Sequence, residues 1–129
     1  MDKYVIDFFK RMGFYDEKYF NSLKLTVINK EYDEIKEFVG FYPGSFKLVL
    51  PSIKSVRDML IWVHEYSHAL FPDDDDEIFP NLMEATFINN YVYNKKIINE
   101  LKKITQKEIN NSDSIEHTLA KRIKLSAIR

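Results

Sequence analysis

The chain has 129 residues, 45% apolar and 30% charged, the balance of one soluble globular domain spanning 1–129 and not of a disordered chain. It contains no cysteine, which excludes a disulfide framework and a thiolate zinc site, so any zinc must be held by His and carboxylate side chains. The net charge of −1 conceals an asymmetry: residues 1–94 carry ten Lys/Arg against sixteen Asp/Glu, and residues 95–129 carry nine against four.

The opening Met1-Asp2-Lys3-Tyr4 is acidic and amphipathic, unlike a secretion signal. No apolar run approaches the roughly 20 residues of a membrane span. The cytoplasm is the expected compartment, and no membrane partner is expected. Val5, Ile6, Phe8, Phe9 and Met12 predict a short helix that Gly13 closes. Leu23, Leu25 and Val27 alternate with Lys24 and Thr26, the pattern of a half-buried strand over 23–29. Residues 31–38 carry both helical and extended signals. Pro43-Gly44 marks a turn, and the alternation of Phe46, Leu48 and Leu50 predicts a hairpin of roughly 38–42 with 46–50, ended by Pro51.

The period then changes. Ser55 followed by Asp58 resembles a capping box, and Val56, Met59, Leu60, Val63, Ala69 and Leu70 continue at helical spacing until Pro72. After the acidic loop 73–77, Pro80 suits the first turn of a second helix, which the pattern carries to about Gln106. Residues 110–113 read as a loop. Asp113 with Glu116 resembles a further cap, and Ile115, Leu119, Ile123 and Leu125 predict a last helix. The expected class is therefore α+β: a small sheet or hairpin, two helices and a C-terminal helix. A helical hairpin of about 95–129 is a candidate regulatory part.

One string carries chemistry: His64-Glu65-Tyr66-Ser67-His68. Histidines four apart lie ~40° apart around a helix axis and one turn apart along it, so both imidazoles can reach one ion. Glu65 lies beside that pair, where its carboxylate can take a proton from a water activated at the ion. A catalytic zinc needs a third protein ligand. With no Cys, that ligand is His117 or a carboxylate. Glu84 is the carboxylate candidate, sixteen residues after His68 on the next helix, among apolar neighbours where a buried acid needs a charged partner. By composition a chance His-Glu-x-x-His in this chain has odds of roughly 0.5%.

The motif followed by a helical Glu84 resembles the gluzincin group of metallopeptidases, and the short length resembles the minimal single-domain members called minigluzincins. The resemblance covers about residues 38–95. It implies a Zn²⁺ cofactor held by His64, His68 and Glu84, and a peptide or unfolded-protein substrate. It also implies a sheet whose edge strand, here 46–50, binds extended substrate. Larger gluzincins often carry an acidic residue one turn beyond the glutamate ligand; this chain has Ile88 and Asn89 there. Small members can hold themselves inactive through a terminal segment or by oligomerisation, so a zymogen-like latency is one expectation.

The expected activity is hydrolysis of peptide bonds with Glu65 as general base and as proton donor to the leaving amine. Tyr91, seven residues after Glu84, and His117 are candidate donors to the developing oxyanion, though a core tyrosine and a surface histidine are the plainer assignments. The run Asp73–Asp76 lacks the alternation and the Gly of a calcium loop, so a solvated acidic loop is expected, one that could dock the basic 95–129 region in the same chain or a neighbour. Self-association through the C-terminal region is thus a candidate partner mode. No nucleic-acid motif is present, and nucleic acid is not expected. Two rival readings stand beside the peptidase: a zinc-binding regulatory protease acting on one partner or repressor, and a non-enzymatic interaction module with a structural zinc.

Overall fold

The structure, a computed structural model, describes residues 2–129. The fold is α+β, with seven helices and one three-stranded sheet among the described residues. The chain forms two compact units, Met1–Asp74 and Asp75–Arg129.

The first unit begins with α1 (Lys3–Arg11). The carboxylate of Asp2 caps it, accepting from the backbone N–H of Tyr4 at 2.8 Å. Gly13, at φ 77°, closes it in the left-handed region as the sequence led one to expect. A second short helix, α2 (Glu17–Ser22), was not expected; Asp16 caps it by accepting from Tyr19 N–H. Strand β1 (Lys24–Ile28) follows, and α3 (Tyr32–Ile35) resolves the ambiguous 31–38 stretch as a single helical turn. Strands β2 (Gly40–Tyr42) and β3 (Lys47–Pro51) form the expected antiparallel hairpin around Pro43-Gly44. Helix α4 (Val56–Leu70) completes the unit.

The strand order is β1-β3-β2, with β1 parallel to β3 and β2 antiparallel to it. This corrects the expectation that 46–50 lies at an edge: β3 is the central strand, with a neighbour on each side. The hydrogen-bond alternation tells which backbone groups point outward. Lys24 N–H donates to Phe46 C=O and Ser52 N–H to Ile28 C=O, so Lys24, Thr26 and Ile28 face β3, whereas Leu25 and Val27 face away. On β3, Leu48 and Leu50 consequently face β1, while Lys47 and Val49 face β2. Gly40 and Tyr42 therefore bond to β3, and the N–H and C=O of Phe41 point to the outer edge of β2.

The buried residues of this unit include the aromatic side chains of Phe8, Phe9, Phe20, Trp62 and Tyr66. Phe9 meets Phe8 and Phe20 edge-to-face at centroid distances of 5.4 and 5.6 Å, and Tyr66 stacks on Phe20 at 5.4 Å. Trp62 ties α4 to the sheet, its indole N–H donating to Pro51 C=O at 2.7 Å. The start of α4 is the predicted capping arrangement: Ser55 Oγ accepts from Asp58 N–H, and the Asp58 carboxylate accepts in return from Lys54 N–H at 2.9 Å.

The second unit holds α5 (Ile78–Tyr91), α6 (Lys95–Asn110) and α7 (Ile115–Ala127). One helix from 80 to about 106 was expected; the chain instead breaks at Val92, which is extended (φ −110°, ψ 112°). The physical reason is Asn94. Its side chain accepts from Lys96 and Ile97 N–H, so it starts a new helix where the apolar period alone would continue the old one. Ser114, and not Asp113, caps α7 by accepting from His117 N–H. The apolar stripe expected there is also displaced, since Ile115 and Leu119 are exposed while Ala120, Lys124 and Ile128 are buried.

Helices α5 and α7 meet along a polar seam. His117 Nε2 lies 3.8 Å from Glu77 Oε1, Lys124 Nζ donates to Glu84 Oε1 at 3.0 Å, and Arg129 N–H donates to Asn89 Oδ1 at 3.0 Å. Each pair is 40 residues apart, so the two helices run in the same direction, with α6 as the connection that leads from one to the other. No helix of the described residues is long and apolar enough to cross a membrane.

Candidate metal centre

Helix α4 divides the motif between two faces. Val63, Tyr66, Ser67 and Ala69 are buried, whereas His64, Glu65 and His68 are half-buried along the flank. The buried positions fix the helix. Tyr66 stacks between Phe20 and Trp62, and Ser67 satisfies its hydroxyl by donating to Val63 C=O at 2.6 Å. Burial, aided by the nearby Tyr15, pushes the Tyr66 phenol up to about 12. Tyr66 is thus a neutral packing residue through the physiological range. The far end of α4 is held by Tyr19, whose hydroxyl donates to Ala69 C=O.

The chemistry-bearing side chains converge. The imidazoles of His64 and His68 stand at a centroid distance of 5.0 Å with planes 70° apart, and ligand atoms of His64, Glu65 and His68 all lie within 4.8 Å of one another. Among the described residues this is the one group of three or more His or carboxylate side chains so placed. Two imidazole nitrogens and a carboxylate oxygen on one helical flank can hold a divalent cation. Glu65 also faces the sheet. A Cβ placed on Gly40 would come 4.0 Å from Glu65 Oε1, so the side-chain-free position of β2 lies directly beside the motif's carboxylate.

The remaining candidates are in the second unit. Glu84 is buried on α5 and accepts from Lys124. Tyr91 stacks on Phe87 at 4.8 Å. His117 is exposed and near Glu77. In the acidic run, Asp76 has a local task, its carboxylate accepting from Ile78 N–H at the start of α5. Sequence reasoning missed Lys124 and Gly40. Lys124 had no clear signal, because the stripe it shares with Ala120 and Ile128 shows only once their burial is known, and the sequence pattern points instead to Ile115, Leu119, Ile123 and Leu125. Gly40 had none either, since its closeness to Glu65 exists only after the sheet has formed. Asn81, one turn before Glu84, is another polar residue inside α5; its amide N–H donates to Glu77 C=O, but its buried Oδ1 has no partner among the described residues.

No family model matches the chain, and neither a curated protein nor a solved structure matches it.

Proposed function

We propose that the chain is a zinc-dependent peptidase in which His64 and His68 bind the metal, Glu84 supplies the third protein ligand and Glu65 moves the proton. The observation that carries this reading is the convergence of His64, Glu65 and His68 on one flank of α4. The donor set suits zinc, with imidazole and carboxylate ligands in a chain that has no thiolate to offer. Bound zinc would polarise a scissile carbonyl and bring a water's pKa down toward about 7. Glu65 would take up a proton from water at the site and pass it to the departing amine. An extended peptide is the substrate best suited to the surroundings of Glu65. The outward N–H and C=O of Phe41 on β2 can pair with such a backbone one residue away from Gly40, and Gly40 leaves space over the carboxylate.

Glu65→Gln separates the peptidase from a structural-zinc module. The expected result is retention of zinc, measured by metal analysis, with hydrolysis of an unfolded protein substrate reduced by at least about 10³-fold. His64→Ala and His68→Ala should each lose the metal. Undiminished hydrolysis by Glu65→Gln would defeat the mechanism, and a wild-type protein that takes up no zinc would defeat the metal site.

A further inference from the structure

Glu84 and Lys124 are a buried ion pair inside the three-helix unit. Their side chains are 8% and 6% exposed, and the ammonium donates to Oε1 at 3.0 Å. Burying either charge alone is costly, and a paired charge survives burial only with a close counter-ion. The surroundings are not rich in donors: Asn81 Oδ1, one turn before Glu84 on α5, is buried with no donor among the described residues. Lys121, one turn before Lys124 on α7, lies 3.0 Å from Glu108, whereas Lys124 donates directly to Glu84.

We propose that Lys124 is an internal stand-in for the metal at Glu84, a resident cation that lets the second unit fold with this carboxylate buried before any zinc arrives, and that zinc must afterwards share the carboxylate with it. The inference rests on the reading of Glu84 as a zinc ligand. It fixes a sign that a merely positioning lysine would reverse. A cation a few ångströms from the acceptor oxygen repels an incoming divalent ion and draws charge from the carboxylate, so its removal tightens metal binding. A lysine that served only to orient Glu84 would weaken metal binding when lost.

The test uses the full chain, with thermal unfolding in a chelator and zinc titration against a competing chromophoric chelator. In chelator, Lys124→Met should unfold about 10 °C below wild type. Lys124→Met/Glu84→Gln should regain most of that loss, because the second change removes the charge that needs a partner. Zinc should bind Lys124→Met on the order of tenfold more tightly than wild type and raise its unfolding temperature by more. If Lys124→Met does not fold in chelator, recovery by zinc supports the proposal, and recovery by neither zinc nor the second substitution overturns it. Unchanged or weaker zinc binding by Lys124→Met overturns it as well. Glu84→Gln alone separates the two levels. If it weakens zinc binding while Lys124→Met does not strengthen it, the ligand reading stands and the stand-in role falls. If Glu84→Gln leaves zinc binding intact, the ligand reading itself fails and takes the proposal with it.

Discussion

Gly40 shows how much a single missing side chain can matter. A methyl group there would rest 4.0 Å from Glu65 Oε1, an ordinary contact, so Gly40→Ala is compatible with the strand. The branches of Gly40→Val reach further, toward the carboxylate over which the proposed substrate would lie. Valine suits a strand, so the variant should fold and bind zinc as wild type does. Its kcat/KM for peptide hydrolysis should fall about tenfold or more, since small displacements at a reacting centre are costly. An unaltered kcat/KM would mean that substrate does not pass over Gly40. At this scale the sequence was uneven as a guide. His64, Glu65 and His68 were legible because helical spacing alone dictates their shared flank. Gly40 was not, because two elements far apart in sequence create its role.

Among the elements, the break between α5 and α6 is the clearest departure from the apolar pattern. Leu82 to Ile104 keep a helical period, yet the side chain of Asn94 bonds two orphan N–H groups and the backbone turns at Val92. Periodicity reports which faces are buried, and it is blind to a polar residue that caps well enough to begin a helix afresh. Asn94→Ala should therefore destabilise the protein by about 1 kcal/mol in urea unfolding, and Asn94→Gly by only a few tenths. The α6–α7 contact carries a second prediction. Burial lowers the Lys121 pKa, but Glu108 first, and then Glu84 and Glu77, more than offset this, so the folded value lies above the unfolded 10.5. A raised lysine contributes stability that is complete below the unfolded pKa and lost as pH rises through the folded one. Stability measured against pH should thus decline above about pH 10.5, and Lys121→Met should lose that part of the decline. A variant whose alkaline profile matches wild type would remove Lys121 from the account.

For the molecule as a whole, the α+β class was readable from local signals, namely one change from alternating to helical period and a turn at Pro43-Gly44. The topology was not. That β1 lies parallel to β3 and makes it the central strand depends on packing between segments some twenty residues apart. The role of the basic C-terminal region was likewise hidden, because charge counting reports an excess and not an address. The structure places Lys124 on Glu84, His117 near Glu77, and Ala127 C=O and Arg129 N–H on Asn89. Deletion of residues 110–129 is consequently more than the removal of a cover. It withdraws the whole of α7 from α5, and the expected outcome is loss of cooperative unfolding of the second unit, seen by circular dichroism, together with weakened zinc binding. A truncated chain that still melts cooperatively with full helix content would show that α7 is dispensable to this unit.

The spacing of 40 residues between Glu84 and Lys124 also has a meaning in time. At synthesis speeds of about 5–20 residues per second, the acid leaves the ribosome roughly 2–8 s ahead of its lysine. During that interval the carboxylate is left to water, and its burial must wait for the ammonium.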